Sequence, residues 1–293
     1  MKETLFEILY MLKYEVYKIK YPMPKVIDRC KTSQMIADNS KLSIVRFGDG
    51  ELGQILRKDD IGFQQYHSCL ADRLREILIS DPDPEILICI PDLFQSISKL
   101  RDKPRSYWLH WILRNRSGLS KVIRPGIYGD SLVTRLYLPW LNTSDEERIV
   151  QNLKSAWAGK HVIVVEGKKT RWGIGNDLLE NAASVRRILC PSQNAYDKYQ
   201  QILNLCRRHA EDDCVFLLAL GPTASVLAYD LAKDGKRALD LGHLDLQYDY
   251  LQQKATERTA IAGKYNNELP DSQVEGCSDP LYILSVIEDI SDE

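Results

Sequence analysis

The second half of the chain alternates short apolar strands with helices, and this alternation constrains the fold more than any other feature. The pattern predicts strands at residues 161–165, 185–189, 214–220 and 238–241, with helices at 195–208 and 222–233. Strands that alternate with helices favour a mostly parallel sheet covered by helices on both faces. Ligands of such sheets bind beyond the carboxyl ends of the strands. The loops after Phe47, Val165, Leu220 and Leu241 are therefore the expected places for a site.

No linker or change in composition divides the 293 residues into independent units. We predict a single α/β domain over residues 1–293, large enough to bury a complete core. Within it we expect a helical N-terminal segment over 1–40, a catalytic α/β core over 41–250 and a C-terminal extension over 251–293. In that extension, residues 281–290 have the pattern of a helix.

Composition and charge narrow the class of protein. The formal net charge of -2 argues against non-specific nucleic-acid binding, which relies on a basic surface. The seven cysteines have irregular spacing and no CxxC pair, which is typical of reduced thiols in a cytoplasmic protein. Residues 1–20 contain no apolar run long enough for a membrane span and no signal-peptide pattern. We expect a cytoplasmic protein without a membrane span.

Residues 46–51, with the sequence RFGDGE, carry the strongest chemical signal. Two carboxylates, Asp49 and Glu51, follow a predicted strand and are separated by one glycine. Carboxylate oxygens of this kind suit Mg²⁺ or Mn²⁺, whose remaining ligands are substrate phosphates and water. An ordinary turn explains the spacing equally well, because Gly-Asp-Gly is common in turns.

Residues 166–177 form a basic, glycine-containing loop after a predicted strand. Lys168, Lys169 and Arg171 supply positive charge, and Gly173 and Gly175 precede an expected helix start near Asn176. Cations and a helix N-terminus together favour a diphosphate. A solvated basic loop is the alternative, and the sequence matches neither the Rossmann fingerprint nor a P-loop.

Two further strand ends carry candidate residues. Gly221, Pro222 and Thr223 open a helix whose first N–H groups can reach a nucleotide, although a purely structural turn has the same composition. His243 and Asp245 follow the last strand of the alternation. His243 could be a metal ligand, a general base or only a structural residue, and Asp245 could assist either chemical role.

Taken together, these motifs resemble the bacterial glycosyltransferases of the GT-D fold, a family first catalogued as a domain of unknown function. The similarity extends from about residue 21 to about residue 250 and preserves the order of several unlike motifs. They lie at residues 46–51, 63–66, 173–178, 188–195, 220–224 and 240–245.

The resemblance implies a Rossmann-like fold and transfer of a hexose, typically glucose, from a UDP-sugar with Mn²⁺ or Mg²⁺. It also implies a glycan acceptor on a cell-surface glycoprotein or polysaccharide, modified in the cytoplasm before export. Asp49 and Glu51 match the metal-linked acidic pair of the family. Two other classes stay open: a metal-dependent nucleotidyl-transfer or diphosphate-hydrolysing enzyme, and a non-catalytic nucleotide-binding protein. A homo-oligomer is also open.

The motifs and the resemblance together give a set of expected site residues. The expected catalytic residues are Asp49, Glu51, His243 and Asp245, of which Asp49, Glu51 and His243 are the expected metal ligands. The expected nucleotide-sugar-binding residues are Arg46, Phe47, Gly48, Lys168, Arg171, Gly175, Asn176, Gly221, Pro222 and Thr223.

Overall fold

The structure, a computed structural model, describes residues 2–266, 268–269, 274 and 276–291, without the side chains of residues 2–6. The strands are β1 (Ser43–Arg46), β2 (Ile86–Ile90), β3 (Gly129–Asp130), β4 (His161–Gly167), β5 (Ser184–Cys190), β6 (Cys214–Ala219), β7 (Arg237–Asp240) and β8 (Val286–Asp289). The helices are α1 (Lys2–Lys20), α2 (Arg29–Asp38), α3 (Asp49–Arg57), α4 (Ser68–Leu78), α5 (Asp102–Val122), α6 (Glu146–Ser155), α7 (Tyr199–His209), α8 (Pro222–Lys233), α9 (Leu244–Gln252) and α10 (Pro280–Ser285).

The described strands form one sheet in the order β3-β2-β1-β7-β6-β4-β5-β8, and the neighbouring strands pair in parallel. This arrangement confirms the predicted Rossmann-like α/β fold with flanking helices. The chain order reverses near the centre, where β1 lies beside β7 and β6 lies beside β4. Such a reversal leaves a crevice above the carboxyl ends of the central strands.

Both faces of the sheet are buried under helices. On β4, Val162 and Val164 pack into one hydrophobic cluster, while Ile163 and Val165 pack into a second cluster on the opposite face. Because a strand points successive side chains to opposite faces, a run of four apolar residues is what a doubly covered strand requires.

The N-terminal segment predicted to be helical contains two helices, α1 and α2. The α1 helix packs on α5, where Nε of Arg116 donates to the carbonyl oxygen of Tyr21 at 2.8 Å. The α2 helix begins at Arg29, because the Asp28 side chain accepts from the Lys31 N–H and caps it. Among the described helices, none combines the length and apolar character needed to cross a membrane.

The helix expected after the basic loop is absent, so that part of the prediction was wrong. Residues 168–183, which connect β4 to β5, form a series of turns. Arg171, Gly173 and Gly175 have positive φ angles of 51°, 76° and 77°, and a helix cannot continue through them. Side chains satisfy the freed backbone groups, since the Gly173 N–H donates to Oδ1 of Asp245 at 2.9 Å. The loop therefore offers no helix N-terminus to a phosphate.

The helix expected over residues 281–290 is also only partly correct. A proline at the first helical position and the Asp279 cap start α10, which ends at Ser285. The chain then becomes β8 and pairs in parallel with β5. Pairing there satisfies backbone groups that β5 would otherwise leave open at the sheet edge. The C-terminal extension is thus part of the central sheet.

A buried ion pair joins β4 to β5. Oε1 of Glu166 accepts from Nη1 of Arg187 at 2.6 Å, and Oε2 accepts from the Trp172 N–H at 2.6 Å. The two side chains are 0% and 3% exposed. Burial raises the pKa of Glu166, while the Arg187 charge acts to lower it. The pair therefore fixes both the strands and the start of the β4–β5 loop.

We predict that Arg187→Met destabilises the protein by about 3–5 kcal/mol, because it leaves the Glu166 charge buried without its partner. The free energy of unfolding in denaturant measures the effect. The neighbouring Arg186→Met removes an ion pair with Glu211 that is partly exposed, and it should cost under about 1 kcal/mol. The double variant Glu166→Gln/Arg187→Met should recover part of the loss. A double variant no more stable than Arg187→Met would contradict this account.

Candidate active site

A cleft of about 910 Å³ lies over the carboxyl ends of the central strands. Its walls come from the segments that follow β1, β4, β6 and β7, together with α5 and the turn after β3. Predicted site residues that line it are Arg46, Gly48, Asp49, Glu51, Gly221, His243 and Asp245. The fold thus brings together residues that are about 200 positions apart in the sequence.

The acidic pair lies in the first turn of α3. Asp49 is the first helical residue, and Oε2 of Glu51 accepts from the Gly48 N–H at 2.7 Å. This return contact satisfies an N–H group at the helix start, and the helix dipole favours negative charge there. The Tyr107 hydroxyl on α5 donates to Oδ2 of Asp49. The segment Gly48-Asp49-Gly50, for which an ordinary turn was the alternative, is therefore the beginning of a helix.

The electrostatics of Glu51 are unusual. Burial raises the pKa of Glu51 to about 7, and the negative charge of Asp240 adds to the rise. The hydrogen bond from Gly48 and the charge of Arg46 act in the opposite direction. Glu51 therefore titrates near neutral pH, in the range that suits a general base.

Arg46 links the strands beneath the cleft. Its Nη2 donates to Oδ1 of Asp240 at 2.8 Å, and its Nε donates to the Asp240 carbonyl at 2.6 Å. Nη1 donates to the Ser131 carbonyl at 3.2 Å and to Oγ1 of Thr134 at 2.9 Å. All three guanidinium nitrogens therefore already hold protein partners, so Arg46 positions the site from below.

A second charged network lines the cleft, and sequence reasoning missed most of it. Nη2 of Arg135 donates to Oε1 of Glu268 at 2.6 Å and lies 3.4 Å from Nδ1 of His243. Nε of Arg258 lies 3.1 Å from Oε2 of Glu268. Burial acts to raise the pKa of Glu268, but Arg135, His243 and Arg258 hold it well below its ordinary value. Arg135, Arg258 and Glu268 lie in segments without a periodic pattern or motif, so no sequence signal identified them.

Arg135 also faces the acidic pair. Burial acts to lower the pKa of Arg135, but the charges of Glu268, Asp49 and Glu51 keep it above its ordinary value. Arg135 can only donate, so its contact with Nδ1 of His243 is a hydrogen bond when the imidazole is neutral and carries its proton on Nε2. His243 is thus oriented by an arginine at the cleft.

Asp245 lines the cleft, but its carboxylate is occupied. Nζ of Lys264 lies 2.8 Å from each Asp245 oxygen, and Nδ2 of Asn176 donates to Oδ1 at 2.7 Å. Burial raises the pKa of Asp245 to about 6, with Lys264 acting in the opposite direction. Asp245 therefore anchors the β4–β5 loop to α9, and Asn176 is part of this anchor.

Gly221 gives the cleft one of its walls. Its φ of 55° and ψ of -140° are disfavoured for residues with a Cβ, and a Cβ would lie 2.1 Å from Cε2 of Phe63. The close approach lets Phe63 line the cleft beside the start of α8. Pro222 and Thr223, the first residues of α8, are buried away from the cleft wall, and Phe47 is fully buried in the core.

The expected basic cluster is placed elsewhere. Lys168 and Arg171 line a second pocket, and neither they nor Gly175 line the cleft. The expectation that they bind the same nucleotide as Asp49 therefore has no support from the geometry. The turns of residues 168–172 are the reason, because they direct the cations away from the cleft.

In the part of the chain that the structure describes, no three side chains of Asp, Glu, His or Cys form a ready-made metal site. The structure therefore does not bring Asp49, Glu51 and His243 together as the three ligands of one metal ion, as the sequence had led us to expect. Asp49 and Glu51 still share one helix turn at the cleft wall. Two carboxylates with phosphate and water as further ligands match the usual donor set of Mg²⁺ or Mn²⁺.

The parallel sheet and the cleft at its carboxyl edge define a Rossmann-like α/β protein. The family described as glycosyltransferase GT-D fold matches residues 44–269, and the chain belongs to this family. The resemblance inferred from the motifs is therefore confirmed.

Relatives and solved structures agree with this assignment. The chain is 34% identical over 252 residues to "Probable glycosyl transferase Gly" of Streptococcus gordonii, covering 86% of this chain and 37% of that protein. It is 29% identical over 246 residues to "Glycosyltransferase GlyD" of Streptococcus pneumoniae serotype 4, covering 84% of this chain and 30% of that protein. The chain thus spans about a third of the length of these curated relatives.

Two solved structures are similar over nearly their whole length. One is the structure of the highly conserved domain of unknown function 1792, described as having a distinct glycosyltransferase fold. The two chains superpose with a TM-score of 0.87 and are 31% identical, and the match covers 94% of this chain and 99% of that one. The other is a new glycosyltransferase of the same domain from Streptococcus sanguinis, with a TM-score of 0.86, 32% identity, and coverage of 91% and 99%.

We predict that the raised pKa of Glu51 makes stability depend on pH. Its pKa is about 7 in the folded state against 4.5 as the ordinary value, so the protein loses stability as pH rises from 4.5 through 7. The loss is at most about 3 kcal/mol. Unfolding in denaturant from pH 4.5 to 8, with a chelator present, measures it.

Glu51→Gln removes the titrating group and should flatten this part of the profile relative to the wild type. Glu147→Gln changes an exposed carboxyl on α6 and should leave the profile unchanged. Parallel profiles for the wild type and Glu51→Gln would show that Glu51 titrates at its ordinary value.

Proposed function

We propose that this chain transfers a hexose, with glucose the expected sugar, from a UDP-sugar to a glycan of a cell-surface glycoprotein or polysaccharide. Family membership and the names of the relatives support glycosyl transfer. The seven cysteines are free thiols, in keeping with a reducing compartment. We therefore propose the cytoplasm as the place of reaction, before the product is exported.

The observation that carries the proposal is the distribution of charge in the cleft. Asp49 and Glu51 line the cleft from the start of α3, and Arg135 and Arg258 line it from the segments after β3 and α9. A nucleotide diphosphate needs cations around its phosphates, and a metal ion shared between phosphate and carboxylates supplies part of that charge. The cleft volume of about 910 Å³ is within the range of small-molecule sites.

The residues present fit a divalent cation. The carboxyl of Glu51 has a raised pKa because it is buried near Asp240, and a positive ion beside it would relieve this cost of ionisation. Asp49 and Glu51 would hold Mn²⁺ or Mg²⁺ together with the substrate diphosphate. When bound, the metal would act as a Lewis acid toward the charge on the leaving diphosphate.

The other cleft residues have roles that follow from their positions. Arg135 is held by Glu268, so its positive charge is fixed toward the acidic wall before substrate binds, which is the preorganisation that stabilises developing charge. Arg258 is half-exposed at the cleft and adds a second cation. Tyr107 is 51% exposed beside Asp49 and offers a ring face to a sugar.

The first test is a calorimetric titration of UDP into the full chain, with Mn²⁺ and then with a chelator. Metal-dependent binding is the expected result, and absence of binding under both conditions would contradict the donor assignment. A screen of UDP-sugars with glycan acceptors then follows. Release of intact UDP that depends on the acceptor is expected. Nucleotidyl transfer or diphosphate hydrolysis would instead break a bond within the diphosphate and would not release intact UDP in this way.

We predict that Asp49→Asn lowers metal-dependent UDP binding and reduces transfer by about 100-fold or more, because it removes a metal-facing charge but keeps the size of the side chain. Asp212→Asn is the matched control, since Asp212 is fully exposed at the opposite edge of the sheet. Both variants should unfold at the temperature of the wild type or close to it. Full transfer activity in Asp49→Asn would remove this residue from the mechanism.

A further inference from the structure

Three cations of the basic loop have no place in the cleft and line a separate pocket instead. Lys168, Lys169 and Arg171 form one side of this pocket, which has a volume of about 560 Å³. Leu189 and Val286 contribute apolar surface, and Asp289 contributes a carboxylate. The pocket lies near the carboxyl ends of β5 and β8, on the other side of the β4–β5 loop from the cleft.

The pocket carries more positive than negative charge. Nζ of Lys168 lies 3.3 Å from Oδ2 of Asp289, which offsets one cation. The Lys169 carbonyl accepts from the Tyr265 N–H at 2.9 Å, but its ammonium makes no hydrogen bond or ion pair with any residue that the structure describes. Arg171 is held in place by a hydrogen bond from Nη1 to the Gly263 carbonyl at 2.8 Å. Three cations thus face a single carboxylate among the described lining residues.

A second, independent observation comes from Tyr282 on α10. The residue is 5% exposed and lines the pocket, and its hydroxyl has no hydrogen-bond partner within the described structure. The guanidinium of Arg187 stacks 5.0 Å from its ring centroid and so fixes the ring. A buried hydroxyl without a partner is costly, and an oxyanion in the pocket would accept its hydrogen bond.

We propose that this pocket binds a phosphate-bearing small molecule, distinct from the nucleotide-sugar donor of the cleft. The lysines supply point charges, the Tyr282 hydroxyl supplies a directed donor, and the apolar wall accommodates the body of the ligand. Gly167 and Thr170 of the same loop line the cleft, whereas Lys168 and Lys169 line the pocket. A ligand in the pocket would therefore bear directly on the loop that borders the donor site.

The test is a calorimetric titration of inorganic pyrophosphate into the full chain, without divalent metal and with a chelator present. Saturable binding is expected, weakened about tenfold by Tyr282→Phe and by Lys169→Gln. Lys160→Gln is the matched control, because Lys160 pairs with Asp213 at the opposite edge of the sheet, and it should bind pyrophosphate like the wild type. Tyr282→Phe should unfold no earlier than the wild type, since it removes only an unpartnered hydroxyl.

The cleft also contains arginines, so a second comparison separates the two sites. Arg258→Gln should leave metal-free pyrophosphate binding unchanged, while Tyr282→Phe and Lys169→Gln should leave Mn²⁺-dependent UDP binding unchanged. Loss of pyrophosphate binding in Arg258→Gln alone would place the anion in the cleft and overturn the proposal. Absence of saturable pyrophosphate binding, or equal affinity in all variants, would also overturn the proposed second site. Neither result would bear on whether the cleft binds a UDP-sugar.

Discussion

Arg46 and Asp240 connect β1 to β7 at the point where the strand order of the sheet reverses. Besides this pair, the Ser225 hydroxyl on α8 donates to the Arg46 carbonyl at 2.8 Å and lies 3.3 Å from Oδ2 of Asp240. Gly242 is required beside them, because a Cβ there would lie 2.4 Å from Nη2 of Arg46. Replacing one partner of such a pair leaves the other charge buried, so the geometry is strongly held. The floor of the cleft and the start of α3 both depend on it.

The same pair sets the electrostatics above it. Asp240 is buried, and its negative charge adds to the rise in the pKa of Glu51, while Arg46 opposes that rise. A residue that binds strands together thus also adjusts a carboxyl that faces the cleft. Sequence reasoning assigned Arg46 to the nucleotide because it precedes the acidic pair, but its guanidinium is committed to Asp240, Ser131 and Thr134.

Periodicity predicted most of the sheet and failed where tertiary contacts decide the local structure. The strands β4 to β7 and the helix α8 have apolar patterns that only a covered parallel sheet can satisfy, so their positions follow from sequence. The β4–β5 loop has helix-compatible residues, but Glu166 at the end of β4 and Asp245 on the distant α9 accept hydrogen bonds from its N–H groups. No local pattern reveals such a partner, and the same holds for β8, which becomes a strand only because β5 offers an edge.

The acidic pair was found from sequence because its two members are neighbours, whereas the cations that face it come from unrelated segments. Arg135 follows β3, while Arg258 and their shared partner Glu268 lie in the C-terminal extension. Only the fold brings these residues to the cleft. A spacing rule detects chemistry that one loop supplies. It cannot detect a network assembled from three loops. The basic loop shows the opposite error: its composition suggested nucleotide binding, but its cations Lys168 and Arg171 do not line the cleft.

The partners of the carboxylates indicate which of them can receive a ligand. Asp240 is paired with Arg46, Asp245 with Lys264, and Glu268 with Arg135 and Arg258. The described hydrogen-bond partners of Asp49 and Glu51 are the Tyr107 hydroxyl and the Gly48 N–H, which carry no charge. A charge that is buried without a cation is costly, and the cost falls when an ion binds beside it. Within the described structure, Asp49 and Glu51 thus have no direct ion-pair partner. Under the proposed function, a divalent cation arriving with a diphosphate would neutralise their charge, and Arg135 and Arg258 would be available to the phosphates.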